Sequence, residues 1–367
     1  MYYTRKNLYF LNHNSPVLLK SFKYLLLPIS LVYGIVVWLR NWLFDKNILK
    51  SAAFNFPVIC VGNLAVGGTG KTPMVEYLIR LLKHEFVIAT ISRGYKRKTK
   101  GFGIANDNTT ALEIGDEPMQ FHKKFPDITV AVGEERLVAI PHLLQERPNT
   151  EVIILDDAFQ HRQVKAGLNI LLTEYKDLYT RDFPLPGGDL RDVRSSAQRA
   201  EIVIVTKCNP DLPVTERDSI ALELQLSPSQ CLYFSSILYG KPYHLFSKQL
   251  TTLSEYKDLL LICGIANPKP LKDFLTSQVH SYDMLRYPDH HIFDSDDLLD
   301  IKKHFEKIKS EKKIIITTEK DGVRLQKFEQ ELASYPVYVL PIQHAFLFNK
   351  APEFHQQVID FVKSLKK

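Results

Sequence analysis

The sequence predicts an α/β fold built on a doubly wound, mainly parallel sheet. Short β-branched runs alternate with helical patterns, and most of these runs are apolar without polar alternation, as expected for strands covered by helices on both faces. A glycine-rich loop also connects the first strand to a helix, which is typical of this fold class. The further candidate strands of the sheet lie at 87–91, 128–132, 152–155, 169–172 and 202–205.

Basic charge is concentrated in the first fifty residues. This segment contains seven basic residues and one acidic residue, which accounts for the whole formal net charge of +6. Residues 24–39 carry no charge, and two tryptophans, Trp38 and Trp42, lie near their end. This uncharged run is short for a transmembrane helix, which needs about 20 apolar residues. The segment also lacks the small-residue cleavage site of a signal peptide. We therefore interpret residues 1–50 as an interfacial membrane-associating segment, with a true span or a packed helix pair as the alternatives.

The glycine-rich loop has the sequence context of a phosphate-binding P-loop. It follows an apolar run at 57–60 and precedes a helical pattern with apolar residues at 75, 78, 79 and 82. Glycines let backbone N–H groups converge on phosphates, a lysine supplies positive charge, and a threonine hydroxyl can bind Mg²⁺. The usual pattern begins with glycine, whereas this chain has Ala65 there. The sequence predicts a nucleoside triphosphate site formed by Gly67, Gly68, Thr69, Gly70, Lys71 and Thr72.

Two loops are candidates for binding an anionic substrate. Residues 93–101 form a basic run in which Arg93 and Arg97 could bind phosphate in bidentate fashion. The alternative is a solvated charge run. Residues 186–191 form a second glycine-rich loop that ends at Arg191. The chain shows no extended basic face, which argues against nucleic acid as a partner.

Two acidic pairs are candidates for catalysis or metal binding. Asp156 and Asp157 end an apolar strand, a position at which P-loop proteins hold Mg²⁺; a solvated turn is the alternative. Asp116 and Glu117 precede Pro118 and a helical pattern. Because aspartate caps helices well and proline suits their first turn, capping explains this second pair equally well on spacing alone.

The segment after the strand at 202–205 tests whether the nucleotide is a guanine nucleotide. GTPases carry an aspartate that accepts two hydrogen bonds from guanine, and this chain has Asn209 in its place. An amide offers a single acceptor oxygen. The sequence therefore argues against guanine.

A second, smaller α/β domain is predicted after the polar stretch 212–230. Within it, Asp289, His290 and His291 are adjacent. An isolated histidine is usually structural, and this arrangement makes a proton-handling or orienting role an alternative for the histidines. The length of 367 residues exceeds that of a usual single core. We divide the chain into residues 1–50, a P-loop domain at 51–225 and a C-terminal domain at 226–367. The elements predicted in the last domain are strands at 231–234, 259–263, 314–317 and 337–340, and helices at 268–277 and 296–309.

Taken together, these motifs resemble the tetraacyldisaccharide 4′-kinases, the lipid A 4′-kinases of Gram-negative bacteria. The resemblance covers roughly residues 16–360. Its most specific part is the combination of the glycine-rich loop ending in Lys71-Thr72-Pro73 with the run from Asp156 to His161. The other matching segments are 92–95, 115–118, 186–191, 289–290 and 318–321.

The resemblance implies transfer of a phosphoryl group from ATP, with Mg²⁺, to the 4′-hydroxyl of a tetraacylated glucosamine disaccharide 1-phosphate at the cytoplasmic face of the inner membrane, giving lipid IVA. It implies that Asp116 receives the hydroxyl proton with help from His290. It also implies that Glu117, Asp156 and Asp157 arrange Mg²⁺ and the phosphoryl group, and that Thr72 completes the metal site. Candidate substrate residues are Arg93, Arg97, Gln160, His161 and Arg191. The alternatives are a GTPase or metallochaperone-type NTPase, and a non-catalytic regulator that uses ATP as a switch.

Overall fold

The computed structural model describes residues 26–365, and the first 25 residues of the predicted N-terminal segment lie outside this range. Ten strands lie between residues 52 and 239: Ala52–Ala53 (β1), Val58–Asn63 (β2), Ile88–Ser92 (β3), Gly103–Ile104 (β4), Thr129–Val132 (β5), Val152–Asp156 (β6), Val164–Lys165 (β7), Leu168–Glu174 (β8), Ile202–Thr206 (β9) and Cys231–Tyr239 (β10). Eight of them form one side-by-side array in the order β10-β9-β8-β2-β6-β3-β5-β4, parallel except for the last pair. The other two, β1 and β7, form a separate parallel pair.

The chain then builds a second sheet before it returns to the first. The strands concerned are Tyr243–His244 (β11), Asp258–Cys263 (β12), Ser281–Arg286 (β13), Lys313–Thr318 (β14), Val337–Leu340 (β15) and Ile342–Phe346 (β16). The second sheet has the order β11-β15-β14-β12-β13, with β11 antiparallel to its neighbour. The returning strand, β16, pairs antiparallel with β10 and gives the main sheet nine strands.

Helices cover both sheets. Along the helix that follows the glycine-rich loop, the predicted apolar positions Val75, Leu78, Ile79 and Leu82 are all fully buried. Burying each of these side chains contributes roughly 1.5–3 kcal/mol. The helices are Leu27–Asp45 (α1), Lys71–Leu82 (α2), Ala111–Ile114 (α3), Asp116–Lys124 (α4), Arg136–Glu146 (α5), Val214–Leu224 (α6), Lys269–Thr276 (α7), Ser295–Lys307 (α8), Glu319–Leu325 (α9), Glu329–Leu332 (α10) and Ala351–Ser364 (α11).

The strand that begins at Cys231 belongs to the main sheet, whereas the sequence predicted it in the second unit. β10 pairs in parallel with β9, and the C-terminal β16 and α11 also lie against the main sheet. The second unit is therefore an insertion between β10 and β16. The polar stretch at 212–230 suggested a domain boundary because it contains α6, a surface helix that buries only Ile220 and Leu224.

The N-terminal helix α1 lies on the protein with most of its apolar side chains exposed. It is long and apolar enough to cross a membrane. It ends at Asp45, and its buried residues are Ser30, Asn41 and Phe44. An exposed apolar surface of this size is unusual on a soluble protein and marks an interaction site. The apolar side chains of α1 that form this surface are between 46% and 66% exposed: Ile29, Leu31, Val32, Ile35, Val36, Trp38 and Leu39.

Candidate active site

The glycine-rich loop is an open turn at the carboxyl end of the central strand β2. Gly67 and Gly70 have φ angles of 113° and 90°, in the left-handed region that favours glycine. A Cβ atom added to Gly67 or Gly68 would meet nothing within 4 Å. The loop therefore presents backbone to open space immediately before α2, where N–H groups and the helix dipole attract anions.

Two side chains outside the loop hold its last residues in place. The Thr206 hydroxyl donates to the Thr69 carbonyl oxygen at 2.8 Å. The His344 Nε2–H donates to the Gly70 carbonyl oxygen at 2.9 Å, so its Nδ1 accepts from the Ser235 hydroxyl at 3.0 Å. Burial lowers the pKa of His344 to about 4, which keeps the ring neutral as this arrangement requires. Sequence reasoning missed His344, because an isolated histidine in an apolar strand gives no signal.

Lys71 lies in a polar cluster built from three elements. Its ammonium donates to Asn63 Oδ1 at 3.0 Å and lies 3.8 Å from Asp157 Oδ1. The Arg191 guanidinium donates to the same Asn63 oxygen at 2.6 Å and binds both oxygens of Asp157. The structure thus brings together Lys71, Asp157 and Arg191, three residues that the sequence analysis named for different roles. Asn63, the last residue of β2, was not predicted and is the acceptor shared by the two cations.

The neighbouring carboxylates Asp156 and Asp157 have opposite electrostatic environments. Burial and the nearby Asp157 and Glu117 carboxylates raise the pKa of Asp156 to about 6. Burial would also raise the pKa of Asp157, but Lys71 and Arg191 outweigh it and lower that pKa. The Ser92 hydroxyl donates to Asp156 Oδ2 at 3.2 Å. Asp156 is thus a buried carboxylate whose pKa is raised even though the nearby Lys71 and Arg136 oppose the shift.

Asp116 begins helix α4 but does not cap it. Its Oδ2 accepts from His290 Nδ1–H at 2.9 Å and from the Arg324 Nε and Nη2 groups at 3.1 and 2.7 Å. Burial alone would raise the pKa of Asp116, but these hydrogen bonds lower it to about 2. Capping, the alternative left open by the sequence, is not the role of this side chain. The predicted pair of Asp116 and His290 is in contact, and Arg324 is an unpredicted third member.

Further ion pairs connect the inserted unit to α4. The Lys320 ammonium donates to Glu117 Oε1 at 2.8 Å, and Lys124 binds both Glu319 and the fully buried Glu76. Lys320 and Arg324 are four residues apart and therefore on one face of helix α9. Lys320 was part of the matched segment at 318–321, but nothing in the sequence said which residue it contacts.

The other candidate substrate residues have different surroundings. Arg97 is bound to Glu134 at 2.6 Å and to its own loop, so the structure gives it a loop-closing role. Arg93 is exposed. Gln160 donates to the Asn63 carbonyl oxygen at 2.8 Å. Burial and the nearby guanidinium groups of Arg136 and Arg93 lower the pKa of His161 to about 4.

Comparison with known proteins identifies the family of the chain. The family model for tetraacyldisaccharide-1-P 4′-kinase matches residues 22–363. A tetraacyldisaccharide 4′-kinase of Flavobacterium johnsoniae is 46% identical over 92% of this chain and 97% of its own. One from Bacteroides fragilis is 47% identical over 92% of this chain and 93% of its own.

A solved structure is also similar. The crystal structure of LpxK from Aquifex aeolicus in complex with ATP superimposes with a TM-score of 0.73 at 28% identity, covering 93% of this chain and 99% of that one. The family match spans nearly the whole chain, both units included. The chain therefore belongs to the tetraacyldisaccharide 4′-kinase family.

Proposed function

We propose that this chain transfers the γ-phosphoryl group of ATP to the 4′-hydroxyl of a tetraacylated glucosamine disaccharide 1-phosphate. One observation carries the proposal. The open glycine loop and Lys71 lie next to the Asp157–Arg191 pair at the carboxyl ends of the central strands. The loop N–H groups and Lys71 would hold the triphosphate. Phosphoryl transfer depends mainly on positioning and on stabilising charge, which this constellation supplies.

Asp116 and His290 are the proposed proton-handling pair. As the hydroxyl oxygen forms its bond to the γ-phosphorus and the bond to the ADP oxygen breaks, the hydroxyl proton passes to this pair. Hydrogen bonds from His290 and Arg324 keep Asp116 ionised and therefore ready to accept. A carboxylate with so low a pKa is a weak base, but the loose transition state of phosphoryl transfer does not require a strong one.

The donor set fits Mg²⁺. Asp156, Asp157, Glu117 and the Thr72 hydroxyl offer hard oxygen atoms, and the raised pKa of Asp156 reflects a place where added positive charge is favourable. Within residues 26–365 no group of three or more histidine, cysteine or acidic side chains forms a metal cage by itself. Mg²⁺ prefers one or two carboxylates plus substrate phosphates, so phosphate oxygens of ATP would supply its other ligands. When bound, the ion would neutralise charge on the phosphates.

The inserted unit completes the site. His290, Lys320 and Arg324 all come from it and contact the two acidic residues that begin α4. Lys320 also lies close enough to Lys71 to contribute to lowering its pKa, after the larger effect of burial. We propose that the proton acceptor is assembled only when the two units are together, which limits hydrolysis of ATP by water.

Nucleotide choice is the first testable consequence. Asn209 is exposed beyond the end of β9 and cannot provide the two acceptor oxygens of a carboxylate. We therefore expect rapid turnover with MgATP and poor turnover with MgGTP, and we expect ATP turnover to depend on the acylated disaccharide 1-phosphate. Initial rates measured with each nucleotide, with and without the lipid, test this. Faster turnover of GTP, or equal ATP turnover without lipid, would favour a GTPase or an ATP switch instead.

The helix α1 is the proposed membrane contact, on the cytoplasmic side of the inner membrane where ATP is available. Its exposed apolar side borders a groove of about 710 Å³ that Phe183 and Pro184 complete. Trp38 and Trp42 suit the headgroup region, where aromatic rings are favoured. The opposite side of α1 is held by hydrogen bonds to the protein, so we propose that the helix lies on the membrane rather than spanning it.

Two aspartates on the exposed side of α1 should release the protein from membranes. Val32 and Val36 are 61% and 60% exposed, so Val32→Asp/Val36→Asp leaves the folded contacts intact. Burying a valine contributes roughly 1.5–3 kcal/mol, and we expect vesicle binding to weaken about 100-fold or more. Sedimentation with phosphatidylethanolamine–phosphatidylglycerol vesicles measures this. Leu222→Asp, on the exposed side of α6, is the matched control; unchanged binding of the double variant would place the membrane contact elsewhere.

A further inference from the structure

Helix α1 is attached beside the predicted nucleotide site by polar contacts. The Ser30 hydroxyl accepts from the Gly187 N–H at 2.7 Å, and the Tyr33 hydroxyl donates to the Arg191 carbonyl oxygen at 3.0 Å. One turn before the end of α1, the Asn41 amide donates to Asp192 Oδ1 at 2.8 Å. The same helix that exposes an apolar surface thus touches the residue that binds Asp157.

Asp192, which follows Arg191 and accepts from Asn41, is a buried carboxylate with several donors. It is 1% exposed. Besides Asn41, it accepts from the Ser196 hydroxyl at 2.7 Å and from the Arg199 guanidinium at 2.8 Å. A buried carboxylate is tolerated only with such donors, and removing one leaves charge uncompensated. Arg199 in turn donates to the Phe159 carbonyl oxygen at 2.8 Å, two residues after Asp157.

The position of Arg191 depends on this attachment. Its backbone is fixed on one side by the Leu64 carbonyl oxygen at 2.8 Å and on the other by Tyr33 and the adjacent Asp192. Its guanidinium then reaches Asn63 and Asp157, the two residues beside Lys71. A continuous series of contacts therefore runs from α1 to the P-loop lysine.

We propose that Asn41 and Asp192 are positioning residues, whose hydrogen bond between α1 and the segment 191–199 holds Arg191 in register with Asp157 and Lys71. This inference rests on the proposed function, because it assigns a role in the same site. Through this bond, docking of the membrane-facing helix becomes a requirement for phosphoryl transfer as well as for membrane contact. Neither residue is expected to touch substrate.

The orientation of the Asn41 amide makes the proposal testable by exchanging the side chains of Asn41 and Asp192. Its Oδ1 is buried and has no hydrogen-bond partner within the described range 26–365, whereas its Nδ2 donates to both Asp192 and Ser196. Asn41→Asp would place two carboxylates in contact, which is strongly unfavourable. Adding Asp192→Asn reverses the donor and the acceptor and restores one hydrogen bond.

The experiment compares kcat on detergent-dispersed lipid, ATP affinity by calorimetry, vesicle binding and thermal unfolding for Asn41→Asp, for Asn41→Asp/Asp192→Asn and for Asn41→Leu. A misplacement of about 1 Å in a site can cost about 100-fold in rate, so we expect a kcat loss of that order in both Asn41 single variants. We expect ATP affinity within about threefold, unchanged vesicle binding, and at least about tenfold recovery of kcat in the exchanged pair.

The control is Asp45→Asn, which removes the ion pair between the exposed Asp45 at the end of α1 and Arg162; a pair with one partner exposed to solvent contributes little. A folded Asn41→Asp with wild-type kcat, a folded exchanged pair that recovers nothing, or a kcat loss explained by lost vesicle binding would each overturn the inference. If Asn41→Asp does not fold, wild-type kcat in Asn41→Leu overturns it. Full activity of Lys71→Ala, by contrast, would reject the proposed function itself.

Discussion

Replacing Lys71 by alanine is expected to lower the rate of phosphoryl transfer by about 10²–10³-fold, the usual cost of removing one preorganised charge from a transition-state site. Lys71 directly follows the open glycine loop, and its ammonium lies 3.8 Å from Asp157. Its loss should leave the local structure in place, because Arg191 continues to donate to Asn63 and Asp157. Thr72→Ala is expected to give a loss of similar size if its hydroxyl binds Mg²⁺.

The measurement is kcat with saturating lipid acceptor, accompanied by thermal unfolding to show that the variant is folded. Lys303→Ala, on the exposed side of α8, is the matched control and should retain wild-type activity. If Lys71→Ala transferred phosphate at a near-normal rate, the assignment of this loop as the nucleotide site would be wrong.

Asp116 and His290 are expected to behave as one unit in a double-mutant cycle. General-base groups contribute about 10²–10⁴-fold, so Asp116→Ala should be severe and His290→Ala less so, since it leaves the carboxylate in place. Because removing either residue breaks the pair, the double variant should be little worse than Asp116→Ala. ATP affinity should change little in all three variants. The measurements are kcat with lipid acceptor and ATP binding by calorimetry.

Asp127→Ala and His304→Ala are the matched controls for this cycle, because both residues lie outside the site, on the surface of the main domain and of α8. Asp116→Asn adds a variant of the same shape that keeps a single acceptor for Arg324. Fully additive losses, or a collapse of ATP affinity in His290→Ala, would show that His290 serves the nucleotide or the fold.

The sequence predicted the parallel strands well because each is a short apolar run between helical patterns. The strands expected at 152–155 and 202–205 were confirmed within one residue. Periodicity alone did not reveal which sheet a strand joins, and so the strand at Cys231 was placed in the wrong unit. Sheet membership depends on long-range pairing with β9 and on the return of the chain at β16, and local patterns carry no information on either.

The residues of the candidate site were predictable where they belong to short sequence motifs. The glycine loop, Asp157 and Arg191 follow recognisable motifs, and they meet at the carboxyl ends of adjacent strands, as parallel topology requires. Residues that act through contacts across the fold were missed. Arg324 reaches Asp116 only because the inserted unit packs against α4. Asp192 was not singled out either, because the residues that donate to it include Asn41 on α1 and Arg199, seven residues further along the chain.

The central claim is that this site phosphorylates a lipid disaccharide at the 4′-position, and mass spectrometry of the reaction product tests it most directly. An acylated disaccharide 1-phosphate incubated with the protein and MgATP should gain the mass of one phosphoryl group. Fragmentation should place that group on the 4′-oxygen of the distal sugar, and the Lys71→Ala protein should give almost no product. Release of free phosphate from ATP with the lipid mass unchanged would contradict the account.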